Sequence, residues 1–334
     1  MSALKGKIAL VTGASRGIGK GTALALGELG CTVYVTGRTV GDGDLTIDTT
    51  ARGVTAAGGE GRAVCCDHSD DAQIEQLFST IGGEVDHIDY LVNNVYKIPD
   101  PPAWGGGYWD HPIQVWDDQV GIGLRAHYVA SWHAAKWMFE SEYARMLNVS
   151  SPGGQSYHFS CSYGAGKAGL DRLTADMAVE LEPKGVPTCV LYPGSVATEF
   201  IQDHAESQGM DLSQSQTPLL VGRAATVLLM VDDMISTAGT ICAAANLVMD
   251  RGADRVIAAA SHPVLCGLAL ERLRDAPITK IVTTDSIPDR GRLDPIRHKL
   301  VQLSISPMLA EAVYRIHHDM SISALFQRGT GVKR

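Results

Sequence analysis

No run of apolar residues in this 334-residue chain approaches the roughly 20 that cross a bilayer, which argues against a transmembrane helix. Positive charge is scarce. With 28 Lys and Arg against 37 Asp and Glu the net charge is −9, which argues against nucleic acid or an anionic membrane surface as partner. The seven cysteines include no Cys-x-x-Cys pair and, in a chain of this size, read as reduced thiols. The adjacent Cys65 and Cys66 end a strand pattern and point to opposite faces, a poor geometry for a metal. The 11 histidines lack His-x-x-x-His and His-Glu-x-x-His spacings, and His317-His318 falls near a helix end, so no metal site is expected. Strand pattern Lys7–Thr12 follows Met1 too closely for a signal-peptide core, and a cytoplasmic location is expected.

What remains is a chain with 45% hydrophobic and 19% charged residues, long enough for one large domain or two ordinary ones. Apolar, β-branched runs at Ile8–Val11, Thr32–Thr36, Ala63–Cys66, Tyr90–Val92, Met146–Val149 and Thr188–Leu191 alternate with helical stretches. That alternation predicts an α/β fold, a Rossmann-type doubly wound parallel sheet. The first strand leads into Thr12-Gly13-Ala14-Ser15-Arg16-Gly17-Ile18-Gly19, a glycine turn opening a helix. Gly13 suits the tight turn, Gly17 the approach of a pyrophosphate and Gly19 close helix–sheet packing, while N–H groups at Ser15, Gly17 and Ile18 face the phosphates. Where an NAD-selective site would carry an acidic residue, the second strand ends in Gly37-Arg38, and Arg16 adds a second cation. Two guanidiniums suit a 2′-phosphate, so NADP(H) is favoured over NAD(H), the alternative being two ordinary surface arginines.

Tyr163 and Lys167 stand four apart in a helical stretch, Tyr163–Leu181, and project from one face. A free phenol has a pKa near 10; an ammonium one turn away favours the phenolate, and a drop of about three units takes roughly 4 kcal/mol. Tyr163 then serves as general acid/base at a carbonyl or alcohol, Lys167 as its pKa-lowering partner. Ser151, at the carboxyl edge of the Met146–Val149 strand, polarises the same carbonyl, with Ser150 as the fallback.

Together these pieces resemble the short-chain dehydrogenase/reductase family over about residues 4–228. The resemblance rests on Thr12–Gly19, Asp67, Asn93-Asn94-Val95, Ser151, Tyr163 with Lys167, and Tyr192-Pro193-Gly194 leading to Thr198. Details at Trp116-Asp117-Asp118 and Gly123-Leu124-Arg125-Ala126-His127-Tyr128 look closest to the branch called dehydrogenase/reductase member one. The resemblance implies that Asp67 contacts adenine, that Asn93 supports the cofactor, and that Pro193, Gly194, Val196 and Thr198 flank the nicotinamide. Two departures stand out. The family's Asn-Ala-Gly reads Asn93-Asn94-Val95, and its helix asparagine aligns with Gly123, so a water relay must be organised otherwise. Between Tyr96 and Trp116 a segment with Pro99, Pro101, Pro102, Trp104, Tyr108 and Trp109 either lines a bulky apolar substrate pocket or packs as a surface loop.

Near Val227 the pattern changes. Val227–Val231 runs into Asp232-Asp233, and Ser236 is followed by Thr237-Ala238-Gly239-Thr240 and a helix over Ile241–Met249. Carboxylates of Asp232 and Asp233 could accept from ribose hydroxyls while the turn Thr237, Ala238, Gly239, Thr240 holds a phosphate; alternatively the aspartates cap the following helix. Residues 222–327 resemble the C-terminal part of ribose-phosphate pyrophosphokinase, a partial phosphoribosyltransferase-like α/β segment, through Ala258–Val264, Val282–Pro288, Leu303–Ala312 and Ser321–Phe326. Ser236 replaces that family's Asp, and the ATP-binding half is missing, so pyrophosphoryl transfer is not expected. The domains expected are 1–226, 227–328 and a disordered tail 329–334. Strands near Val227–Val231, Arg255–Ala260, Lys280–Thr284 and Lys299–Ser304 extend the first sheet or form a second one. The leading expectation is an NADP(H)-dependent oxidoreductase acting on a small-molecule carbonyl or alcohol, with room for a homo-oligomer. The competing one is a phosphoribosyl-pyrophosphate-related transferase or sugar-phosphate-binding protein acting through the tail.

Overall fold

A computed structural model describes residues 4–209, 211–213, 215–226, 228–250, 256–318 and 320. The chain divides into two compact units, Met1–Thr226 and Val227–Arg334. Residues 329–334 lie outside the described residues.

In the first unit, β1 (Ile8–Val11), β2 (Thr32–Gly37), β3 (Glu60–Cys65), β4 (Tyr90–Asn93), β5 (Arg145–Val149) and β6 (Thr188–Leu191) form a parallel sheet ordered β3-β2-β1-β4-β5-β6. Alternation along β1 divides the core. Ile8 and Leu10 face a cluster with Ile74, Leu77, Phe78, Met138 and Met146, while Ala9 and Val11 face Leu26, Val33, Val54, Leu147 and Val149. The first layer belongs to α3 (Asp71–Gly82) and α5 (Ala126–Met138); the second to α1 (Gly17–Glu28) and α2 (Ile47–Ala56). Strand order reverses between β1 and β4, and their carboxyl ends open the crevice where doubly wound sheets take ligands. Cys65 is exposed and Cys66 buried, as alternate residues leaving a strand should be.

Past β4, a short α4 (Gln114–Trp116) continues through π-helical turns at Asp117–Arg125 into α5. Helix α6 (Cys161–Leu181) is capped by Ser160, whose side chain accepts from the Tyr163 N–H. Two further helices, α7 (Glu199–Gln208) and α8 (Pro218–Ala225), complete this unit, and α8 packs closely on α1.

The second unit has its own parallel sheet, ordered β10-β9-β8-β7, from β7 (Leu228–Met234), β8 (Val256–His262), β9 (Lys280–Thr284) and β10 (Leu300–Leu303). Of the two arrangements open from sequence, the tail strands thus form a second sheet. Val256, Ala258, Ala260 and Ile281 build its core with Ala245 of α9 (Gly239–Asp250), Leu273 of α10 (Ala269–Asp275), Leu293 and Ile296. Exposed α11 (Ser306–His317) ends at the His317-His318 pair, where His318 Nδ1 donates to the Tyr314 carbonyl at 2.8 Å.

Candidate active site

The glycine turn follows β1 at the switch point. Gly13 has φ +64°, and a Cβ there would sit 2.6 Å from Val95 Cα; at Gly19 it would sit 2.4 Å from Asn94 Nδ2. Both positions therefore require glycine so that the loop after β4 can close on the turn. The side chain that closes it is Asn94, whose Nδ2 donates to the carbonyls of Thr12 (2.9 Å) and Gly13 (3.0 Å). Thr12 Oγ1 in turn accepts from the Asn94 and Val95 amides. Asn93 sits behind this closure. Its side chain is fully buried and donates to Ser131 and Asn148 inside the sheet. Asn93 is the last residue of β4 and points inward; Asn94 is the first residue free to turn toward the loop.

At the start of α1 the Gly17 amide donates to Glu199 Oε2 at 2.7 Å, so a carboxylate already occupies the position where the helix end attracts an anion. Sequence reasoning did not find Glu199, which lies 182 positions away in the chain. Thr198 is beside it, its methyl 3.2 Å from where a Cβ on Gly17 would stand. Val196 pairs with Gln216, which also approaches Gly194, while Pro193 is buried. Ser15 and Ile18 are half-buried in the turn, and Arg16 is exposed. Arg38, exposed at 59%, stands 3.7 Å from Asp67. Burial pushes the Asp67 carboxyl up, but bonds from the Ser69 amide and hydroxyl and the Arg38 charge outweigh it, leaving a net lowering.

Ser151, Tyr163 and Lys167 come together at the carboxyl end of β5. The Tyr163 hydroxyl donates to Ser151 Oγ at 2.8 Å, and Ser151 also accepts from the Gly153 amide. Ser150, the fallback, is buried, and its hydroxyl lies 3.5 Å from the Lys167 carbonyl. Lys167 is 7% exposed, and its Nζ donates to the Val149 carbonyl at 3.0 Å. The expected lowering of the Tyr163 pKa by Lys167 is not found. Burial raises the phenol, and only the Ser151 hydrogen bond opposes it. The same burial brings the ammonium down to about 8, with Asp171 opposing. The ammonium lies 6.0 Å from the Tyr163 ring centroid, and its hydrogen bond runs to Val149.

Around Tyr163 the walls are aromatic. Phe159 meets it edge-on at 5.2 Å and is itself near Trp104 at 6.0 Å. Trp104 also meets Phe200 and His204, which stack on each other at 4.2 Å. Phe159 has φ +57°, a backbone state that bulky residues rarely adopt. The Tyr96–Trp116 segment divides in its packing. Trp104 packs into the wall, while Tyr108 and Trp109 remain 70% and 74% exposed beside a cavity of about 200 Å³ that Tyr157, Ser160 and Cys161 help to line.

In the second unit, both aspartates lie within β7, where Asp232 pairs with Ala260. Helix α9 starts at Gly239, so Ala238 precedes it, with φ +57°, and neither aspartate occupies the cap position. The side chains of Asp232, Asp233 and Thr240 lie outside the described residues. Thr237 is exposed and its carbonyl accepts from Arg272. At the end of β8, His262 is bonded to Ser286, and just past β9 Asp285 accepts from Ser304 and the Ile305 amide. Among the described residues, no group of three or more His, Cys, Asp or Glu is placed to hold a metal, and no helix is long and apolar enough to cross a membrane.

Two families match this arrangement in succession. The short chain dehydrogenase family matches residues 7–209, and the phosphoribosyl synthetase-associated domain matches residues 200–327. The chain belongs to the short-chain dehydrogenase/reductase family of oxidoreductases, which bind nicotinamide cofactors. It is 34% identical to the mouse "dehydrogenase/reductase SDR family member 1" over 263 residues, covering 75% of this chain and 83% of that protein. The human protein of the same name is 33% identical over the same length. A short-chain type dehydrogenase/reductase from Mycobacterium marinum matches with a TM-score of 0.58 and 26% identity, over 66% of this chain and 87% of that one. A metagenomic short-chain oxidoreductase solved in complex with NADP gives 0.55 and 29%, over 67% and 90%. The tail is 58% identical over 101 residues to ribose-phosphate pyrophosphokinase of Rhodopirellula baltica, and 45% over 103 to that of Listeria ivanovii. The chain spans only 31% of either pyrophosphokinase and 30% of itself is matched.

Proposed function

We propose that the first unit is an NADP(H)-dependent carbonyl reductase or alcohol dehydrogenase with Tyr163 as general acid/base, Ser151 as polariser of the substrate oxygen and Lys167 as the cation behind them. The observation that carries this is the 2.8 Å bond from Tyr163 to Ser151 beside a buried ammonium, at the carboxyl edge of the sheet and next to the glycine turn. The fit of a dinucleotide is supported by the glycine cradle at Gly13 and Gly19, where the loop after β4 closes on the turn in the space a Cβ would take, and by the Glu199 carboxylate standing in for an anion at the Gly17 amide. Ser15, Arg16, Gly17 and Ile18 would hold the phosphates, Arg38 and Asp67 the adenosine end, and Pro193, Gly194, Val196 and Thr198 the nicotinamide end. Asn94 holds the turn itself. The preference for NADP(H) rests on Arg16 and Arg38 and is supported by the NADP complex of the metagenomic relative.

The cofactor supplies or accepts the hydride. The protein's part is to accept the substrate oxygen between the Ser151 and Tyr163 hydroxyls and deliver the Tyr163 proton to that oxygen, with the buried Lys167 ammonium 6.0 Å behind the Tyr163 ring. The aromatic wall of Trp104, Phe159 and Phe200 favours a sizeable apolar carbonyl compound. Seven free cysteines fit a reducing, cytoplasmic setting. Tyr163→Phe removes the transferable proton and is expected to cut turnover of an aromatic ketone, followed by NADPH absorbance, at least a thousandfold with cofactor affinity held within about threefold. Full turnover by that variant would sink the assignment.

The tail's likeness to pyrophosphokinases over residues of the sugar-phosphate turn favours a second, weaker role: holding a phosphate or pentose phosphate at Thr237, Ala238, Gly239 and Thr240, with Asp232 and Asp233 beside them. Thermal stabilisation separates the two readings, since a ligand at 100 times its Kd adds about 2.7 kcal/mol. NADPH is expected to stabilise the protein more than ribose 5-phosphate does; the reverse order would give the tail precedence.

A further inference from the structure

Tyr96, three residues past β4, is wedged between the catalytic helix and the π-helical turns. Its ring meets Tyr163 edge-on at 5.8 Å, and Lys167 Nζ lies over it, 5.3 Å from the centroid. Its hydroxyl accepts from Gln119 Nε2 at 3.0 Å. Gln119 is itself buried and accepts through Oε1 from Ser160 and Ser162 at the start of α6. The remaining edge of the ring rests on Gly123, where a Cβ would come within 3.2 Å of Tyr96 Cδ2 and 3.4 Å of Cε2. Any side chain at position 123 would therefore press on the ring.

We propose that Tyr96 is a positioning residue for the Tyr163–Lys167 pair, its ring holding the Lys167 ammonium in place by cation–π attraction, and that glycine at 123 is the condition for its doing so. This rests on the reading of Tyr163 and Lys167 as the catalytic pair. Desolvation makes the attraction count, because the ammonium is almost wholly buried and, among the described residues, hydrogen-bonds to the Val149 carbonyl alone. The other titratable or charged groups facing this cluster are Asp171 further along α6, the buried His127 of α5, and Asp118 of the π-helical turns, which Lys97 pairs at 2.7 Å. Among the described residues the ammonium bonds directly to the Val149 carbonyl, and the Tyr96 ring adds a π face 5.3 Å away.

The test uses the full-length chain with ¹³C-labelled lysine and follows the Lys167 titration by NMR, assigned with Lys167→Arg. In the unsubstituted protein that midpoint is expected near 8. Tyr96→Leu keeps bulk and loses the π face, and is expected to lower the midpoint by about one unit. Tyr96→Phe keeps the ring and loses only the Gln119 bond, and should stay close to the unsubstituted value. Gly123→Asn should mimic Tyr96→Leu by displacing the ring, and the double variant should fall no further than either single one. Should Tyr96→Leu fail to fold, phenylalanine and 3,5-difluorophenylalanine at position 96 give the same shape with a weaker π face, and the midpoint should fall with fluorination. A midpoint unmoved by Tyr96→Leu or by fluorination, or moved equally by Tyr96→Phe, overturns the proposal. Because the readout needs no turnover, it is independent of the activity of Tyr163→Phe: a moved midpoint with an active Tyr163→Phe would leave the contact standing and remove its catalytic purpose.

Discussion

Arg38 sits at the mouth of the glycine turn, mostly in solvent, with one partner 3.7 Å away. A charge in that setting contributes little to stability and is free to meet a ligand phosphate. Arg38→Asp is expected to weaken NADPH binding by roughly tenfold to a hundredfold while leaving NADH affinity equal or better, measured by fluorescence titration of both. Unchanged relative affinities would return Arg38 to the role of a surface cation. At the same scale the sequence names Ser151, Tyr163 and Lys167 by spacing and type, yet gives no role to Tyr96, Glu199 or Asn94. Their partners lie across loops, and the doublet Asn93-Asn94 gives no hint of which amide turns inward until β4 ends.

Strands β1, β4 and β5 carry the site, and Asp89 ties them together from the opposite end. Its carboxylate, 1% exposed, accepts from the Ile8 amide at 2.7 Å and the Ser141 hydroxyl at 2.6 Å, with Lys7 and His87 nearby. Asp89→Ala strips a buried backbone N–H of its partner and is expected to cost about 2–4 kcal/mol. Urea unfolding should show a lower midpoint with an unchanged slope, and Asp89→Asn should lose less. A wild-type midpoint in Asp89→Ala would mean that water replaces the carboxylate without penalty. The helices after β1 and β5 are readable from the glycine turn and from helical periodicity. The π-helical turns at Asp117–Arg125 are not, because one extra residue per turn leaves no signature in a hydrophobic pattern.

Two buried histidines couple the whole first unit to pH. Burial lowers His68 to about 4 and His127 to about 3, and each keeps one ring nitrogen bonded, to Thr36 and to the Val95 carbonyl. Unfolded, both would titrate near 6.5, so below that pH the unfolded chain binds protons that the folded one refuses. Their contribution is complete above about pH 6.5 and is lost as pH falls toward the folded values. Between pH 7 and 5 the first unit should lose on the order of 3–4 kcal/mol by urea unfolding, about half of it removed in His68→Asn. A flat profile would show that these imidazoles charge without unfolding. The second unit has its own sheet and core, but only 31% of a pyrophosphokinase is matched in it. Incubation with ATP, Mg²⁺ and ribose 5-phosphate should release no AMP above background. Sustained release abolished by Asp232→Ala would reverse the ranking of the two units.

The sequence by itself determined the strand–helix alternation, the glycine turn, the Ser-Tyr-Lys set and the change of pattern near Val227, because each is written in local periodicity or in fixed spacing along the chain. Only the tertiary structure decided that β7 joins a second sheet, since a short β-branched run pairs with any compatible edge. It alone put Asn94 on the turn, a carboxylate on the Gly17 amide and an aromatic ring against Lys167. It also reversed the expected electrostatics of Tyr163. Spacing places an ammonium one turn from a phenol, but the depth at which both are buried sets their protonation, and depth is a property of the packed sheet.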